Sequence, residues 1–197
     1  MDYAALTDLD LVPLAARGRE GAFREILERY QRPVFSLIFR MVRDRELAED
    51  LAQEAFVRAF NALEGFNPKY KFSSWLFKIA NNLTIDHLRK RTLDTVSIDG
   101  APDAVSADEQ AGSRIAVEDS SERPDAFVEN RELGGRIETA IGGLRPEYRT
   151  AVLLRHVEGY SYEEMADIME VPLGTVKTFL HRARAELKEQ LAGIHGE

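Results

Sequence analysis

The sequence predicts an all-α chain: two small helical domains, a helical bundle and a helix-turn-helix domain, joined by a flexible acidic linker. Three observations carry this. Apolar residues recur at helical spacing through residues 20–91 and again beyond residue 127. The stretch between them has few large apolar residues and no sustained period. Residues 160–191 contain a helix cap, a short turn and a second amphipathic helix in immediate succession. A length of 197 residues leaves room for one or two small domains. The expected boundaries are 1–91, a linker at 92–126, and 127–197.

In chain order, a short helix is expected near residues 10–17. Phe23, Ile26, Leu27 and Tyr30 then fall at i, i+3, i+4 and i+7, and Val34, Leu37, Ile38 and Met41 continue the stripe. Pro33 is expected to bend or break that helix, because it lacks the N–H and clashes with the preceding turn. A helix from about Arg45 to Leu63 carries Ala48, Leu51, Ala52, Ala55, Phe56, Ala59 and Phe60 on one face and ends at Gly65, Asn67 and Pro68. The next begins near Ser73 or Ser74, both N-cap types, presents Trp75, Ile79 and Leu83 on one face, and closes on Arg89, Lys90 and Arg91. In the second domain, Ile137, Ala140, Ile141 and Leu144 form a stripe stopped by Gly142, Gly143 and Pro146. Another helix covers about 147–158 and Gly159 ends it.

The chain has no cysteine, which excludes disulfides, thiolate metal sites and cysteine nucleophiles. No apolar run is long enough to cross a bilayer, and the acidic start lacks the basic region of a secretory signal. A cytoplasmic protein without direct membrane insertion is expected. No phosphate-cradling glycine loop, G-x-S-x-G or H-E-x-x-H is present, and His87, His156, His181 and His195 are scattered. No catalytic residue, cofactor or metal is therefore expected. The net charge is −8, but its distribution is uneven. Residues 1–91 hold 15 basic and 13 acidic side chains, 92–130 hold 2 and 10, and 131–197 hold 9 and 11. The acidic excess lies in the middle, and local fields decide where a phosphate backbone can bind.

In the segment YSYEEMADIMEVPLGTVKTFLHRARAELKEQL, Ser161 and Glu164 form a capping box, Ala166 is small where helices would cross, and Glu170–Pro172 make a turn. Pro172 suits the first turn of the helix that follows. Val176, Leu180, Ala183 and Leu187 give that helix its buried face. The first helix carries Glu163, Glu164, Asp167 and Glu170 without a base. The second carries Lys177, Arg182, Arg184 and Lys188 against Glu186. Lys177, Thr178 and His181 fall off the buried stripe, where they can reach base edges or phosphates. An ordinary helical hairpin with a solvated basic face is the bland alternative.

These motifs resemble a known family. PLGTVKTFLHRARAEL resembles the recognition helix of sigma region 4, and LRPEYRTAVLLRHVEGYSYEEMADIM is similar to the stretch before it in extracytoplasmic-function (ECF) sigma factors. DRELAEDLAQEAFVRAF resembles the polymerase-binding helix of sigma region 2, and FSSWLFKIANNLTIDHLRKR its minus-ten-handling part. The resemblance implies a transcription initiation factor that binds RNA polymerase core and recognises and melts promoters. Its implied partners are the β′ clamp coiled coil, the β flap, promoter DNA and an anti-sigma factor, in a stress or envelope response. It implies that Asp50, Gln53, Glu54 and Arg58 bind core, on a ridge with Glu46 and Glu49 that is otherwise a solvated helix face. For the minus-ten element the candidates are Lys69, Tyr70, Lys71, Trp75, Lys78, Asn82, Arg89, Lys90 and Arg91. Aromatic rings among lysines suit unpaired bases held by their phosphates, although Phe72 and Trp75 equally suit the core. For the minus-thirty-five element they are Thr175, Lys177, Thr178, His181, Arg182 and Arg184. The competing reading is a factor that binds duplex DNA directly, such as a response-regulator-type activator. It would need a receiver domain with strands where residues 1–91 read as helix.

Overall fold

A computed structural model describes residues 2–98 and 124–192, with side chains for 2–91 and 133–192. Among the described residues there are helices and no strands, as the periodicity predicts. Helices α1 (Asp8–Ala16), α2 (Glu20–Val42), α3 (Arg45–Asn61) and α4 (Phe72–Ile98) form the first domain. Helices α5 (Pro124–Gly143), α6 (Pro146–His156), α7 (Tyr162–Met169) and α8 (Leu173–Ala192) form the second. The helix α4 runs past the boundary expected at residue 91, and α5 starts ahead of residue 127. The remainder of the expected linker lies outside the described residues.

The bundle is built from the apolar stripes of α2, α3 and α4. Ile26, Val34, Leu37, Ile38 and Met41 of α2 are buried against Ala48, Ala55 and Ala59 of α3 and Leu76, Phe77 and Ala80 of α4. The alanines of α3 let the helices approach closely. Phe23 stacks on Phe60 where α2 crosses α3, with ring centroids 3.3 Å apart. Helix α1 is tied to α2 by Arg29, which pairs with Asp8 at 3.0 Å and Glu25 at 2.7 Å, and by the Tyr30 hydroxyl, which donates to Asp8.

The structure departs from two local expectations, the first of them only in its stronger form, a break at Pro33. Pro33 does not break α2, which runs through it to Val42. A proline within a helix costs about 3 kcal/mol, and Val34, Leu37, Ile38 and Met41, all buried just beyond it, outweigh that cost. Nor does Ser73 or Ser74 cap α4, which already begins at Phe72. Ser74 is buried with an unpartnered hydroxyl, and the Ser73 side chain lies beside the Tyr160 hydroxyl of the second domain.

The helix-turn-helix forms as its motif predicts. The Ser161 N–H donates to Glu164 Oε2 at 2.8 Å, and the Glu164 N–H donates to Ser161 Oγ at 3.2 Å. Glu170 ends α7 in the left-handed region, with φ 55°. Pro172 stands immediately before α8, and its carbonyl accepts from the Thr175 N–H at 2.8 Å. Val176, Leu180 and Ala183 are buried against α6 and α7, and Leu187 is partly buried.

The two domains share one continuous core. Ala151, Leu153, Leu154, Tyr160, Met165 and Ile168 belong to the same apolar cluster as the bundle. Phe77 and Tyr160 meet edge to face at 5.4 Å across the seam. The Thr150 hydroxyl donates to Asn81 Oδ1 at 3.2 Å and lies 3.3 Å from Met41 Sδ. Burial lifts the Tyr160 hydroxyl to about 12.

Candidate nucleic-acid interface

The second helix of the helix-turn-helix presents an open polar face. Lys177, Thr178, His181, Arg182 and Arg184 are all exposed, and Thr175 is half-buried. Thr178 Oγ1 donates back to the Gly174 carbonyl at 2.9 Å, and Arg182 donates to the Tyr148 hydroxyl at 3.2 Å. Tyr148 is itself buried against Phe179, so Arg182 is held upright at the middle of α8. Arg184 faces the end of α6. Burial first, then Arg184 and Arg155, push the His156 imidazole below its ordinary 6.5.

The first domain presents a different surface. In the loop before α4, Lys69, Tyr70 and Lys71 are exposed, Tyr70 by 56%. A shallow groove beside them is lined by Asp8, Pro68, Tyr70 and Ser73. Behind it, Phe66, Phe72 and Trp75 pack on one another with centroids 5.5–5.6 Å apart. Phe72 is only 2% exposed and serves as core, which removes it from the set of aromatics able to stack on a base. Trp75 is half-buried within the same cluster, while Tyr70 stands free of it. Lys78 and Asn82 follow one turn apart on α4, both half-buried, and Arg89, Lys90 and Arg91 extend the basic face outward.

That face is engaged by the second domain. Lys71 pairs with Glu164 at 2.6 Å, Lys78 with Glu170 at 2.8 Å, and Arg89 with Glu147 at 3.6 Å. The Asn82 side-chain amide donates to the other oxygen of Glu170 at 2.6 Å. The contacts with Lys78 and Asn82 hold the Glu170 carboxyl below its ordinary range. At Glu164 burial pushes upward, but Lys71 and the Ser161 cap prevail and the carboxyl is also lowered. None of these partners was foreseen. The signal was present, since residues 161–170 hold acids without a base and residues 69–91 are strongly basic.

Sequence reasoning also missed Arg149. It is mostly buried and donates to the Met41 carbonyl at the end of α2 and to the Gly142 and Leu144 carbonyls at the end of α5, the last at 3.0 Å. Burial and the nearby Arg43 lower its guanidinium to about 10. It joins the C-terminal ends of two helices, where carbonyls lack helical partners and cations are favoured.

On α3, Glu46, Glu49, Asp50, Gln53, Glu54 and Arg58 are all exposed, opposite the buried alanines. Arg45 pairs with Glu49 at 3.0 Å and Arg58 with Glu54, each one turn apart. Val57 stands among them 58% exposed. This is a rigid, mostly acidic ridge with an apolar spot, suited to a protein partner. Among the described residues no His, Cys, Asp or Glu cluster could hold a metal, and no helix is long and apolar enough to cross a membrane.

Geometry alone defines an all-helical, helix-turn-helix protein of two domains. Comparison with known proteins narrows this. Residues 26–93 match the Sigma-70 region 2 model and residues 134–187 the Sigma-70, region 4 model. The chain is 35% identical to the ECF RNA polymerase sigma factor SigW of Bacillus subtilis, over 90% of this chain and 93% of that one. It is 34% identical to the ECF RNA polymerase sigma-E factor of Escherichia coli, over 94% and 95%. Among solved structures, the sigma factor RpoE of Bartonella quintana, in complex with the anti-sigma factor NepR, aligns with a TM-score of 0.64 at 25% identity, over 86% and 96%. CnrH, in complex with the cytosolic domain of CnrY, aligns in fold with a TM-score of 0.65 at 23% identity, over 94% and 97%. The chain belongs to the ECF group of the sigma-70 family, the initiation factors that direct RNA polymerase to promoters.

Proposed function

We propose that this sigma factor divides its work among three surfaces. The α3 ridge, through Asp50, Gln53, Glu54 and Arg58, docks on the core enzyme at the β′ clamp coiled coil. The observation that carries this reading is that these four side chains are exposed together on a helix whose opposite face is buried. The α4 surface, with Lys69, Tyr70, Lys71, Trp75, Lys78, Asn82 and Arg89–Arg91, takes the minus-ten element. Its lysines hold phosphates, and Tyr70 supplies a free ring for an unstacked base. The open face of α8 reads the minus-thirty-five element, with Thr175, Lys177, Thr178 and His181 toward the bases and Arg182 and Arg184 toward phosphates.

An anti-sigma partner belongs to the same reading, because the solved structures of similar fold include a sigma factor held by one. The ridge reading is tested by co-elution of the full-length chain with core polymerase. The wild type is expected to co-elute and Asp50→Arg with Glu54→Arg to run free, with helical content unchanged. Co-elution of the double variant at wild-type affinity would place the docking surface elsewhere.

A further inference from the structure

We infer that the closed chain masks its own minus-ten surface, with Glu147, Glu164 and Glu170 of the second domain seated where promoter phosphates go on α4. The inference rests on the assignment of α4 to the minus-ten element. Three carboxylates meet Lys71, Lys78 and Arg89, and Glu170 also accepts from the Asn82 amide. A carboxylate paired with a lysine or arginine makes the same kind of charge-assisted contact as a phosphate oxygen. Glutamates and DNA cannot hold these cations together.

The mask is selective and built to last in the free protein. Of the acids in and just after α7, Glu163 and Asp167 make no ion pair among the described residues, while Glu164 reaches Lys71 just before α4 and Glu170, past the end of α7 and itself half-exposed, reaches Lys78 on α4. On α8, the candidate base-reading residues Lys177, Thr178 and His181 stay exposed. The upstream-reading helix is thus open while Lys71, Lys78, Asn82 and Arg89 of the strand-handling surface are engaged. Beneath the ion pairs lies the apolar seam of Phe77, Tyr160, Thr150 and Ile168, which holds the domains in register. Surface ion pairs alone hold little, so the seam supplies the closure and the carboxylates supply the competition with DNA. A binding-competent state that is only a fraction of the population weakens the apparent affinity by that fraction.

The test measures binding of a fluorescent single-stranded oligonucleotide to the full-length chain. In one variant Glu147→Gln, Glu164→Gln and Glu170→Gln remove the competing charges. Glutamine at 164 still completes the capping box, so α7 is retained. The control, Glu163→Gln with Asp167→Asn and Glu189→Gln, removes the same charge from exposed positions. A second variant, Thr150→Lys, wedges a charge into the seam and leaves every glutamate in place. Both test variants are expected to bind about tenfold tighter than wild type at low salt, as expected where open molecules are about a tenth of the population. The control is expected to change little, and the gain should shrink as salt rises.

Equal gains in the triple variant and the control, or no gain in either test variant while each keeps wild-type helicity, would overturn the mask. A parallel arm keeps that failure separate from failure of the minus-ten assignment. Lys71→Ala with Lys78→Ala should cut run-off transcription by core enzyme at least fivefold. Unchanged transcription would remove the assignment and the mask with it. Reduced transcription without a gain in the glutamine variant removes the mask alone.

Discussion

At the scale of single residues, two side chains carry distinct consequences. Arg149 satisfies carbonyls at the ends of α2 and α5 across the domain seam. Arg149→Ala leaves them buried without a donor, a cost of about 1–3 kcal/mol, and thermal unfolding should report it. Arg149→Lys should recover only part of that loss, since an ammonium lacks the planar fork that reaches several acceptors at once. Lys177 projects from the N-terminal half of α8, the part of a recognition helix nearest the bases. Lys177→Ala is expected to lose about 1–3 kcal/mol of promoter affinity and to relax preference at one upstream position. Arg182→Ala should weaken all promoters alike, and transcription from single-base promoter variants separates the two patterns. The exposure of Lys177 was legible in the sequence because it lies off a clear apolar stripe. Arg149 was not, because its partners are backbone carbonyls at helix ends, one of them the Met41 carbonyl of α2 in the other domain, and no side-chain pattern encodes them.

At the scale of elements, helix α3 shows how much a stripe can reveal. Its alanine-rich face is buried and its acidic face exposed, as the period of 3.6 requires. Asp50→Arg with Glu54→Arg should therefore leave helicity intact. The Glu54–Arg58 pair it removes is a surface i,i+4 pair, a kind worth about 0.3–0.5 kcal/mol. Circular dichroism beside the core-binding assay checks this. Helix α4 was less legible. The serines near its start looked like caps, yet one is buried and the other reaches Tyr160, since contact with the second domain decides their environment. The seam between α4 and α7 also gives a pH dependence. Glu164 and Glu170 have carboxyls lowered from 4.5. Their share of the closure, small beside that of the seam, should be fully present above that value and be lost as pH falls through the lowered values. Energy transfer between dyes on the two domains, attached through cysteines introduced into this cysteine-free chain, would follow it.

At the scale of the molecule, the two-domain all-α architecture could be read from periodicity, composition and the order of the motifs. The packing of the domains on each other could not. It depends on polar residues such as the buried Thr150 and Asn81 and the more exposed Glu147, whose partners lie across the seam in the other domain. The charge distribution points the same way: a chain of net charge −8, with its basic clusters short and one of them engaged by glutamates, has little to drive tight binding to DNA alone. On the proposed masking, core polymerase supplies both the opening and the affinity. The most direct measurement is run-off transcription on a genomic promoter library with purified core enzyme, with and without this protein. A defined set of start sites should appear only when core and the full-length chain are combined, and should vanish with Asp50→Arg and Glu54→Arg. Tight, sequence-specific promoter binding by the chain alone, with no start site gained when core is added, would rule this role out.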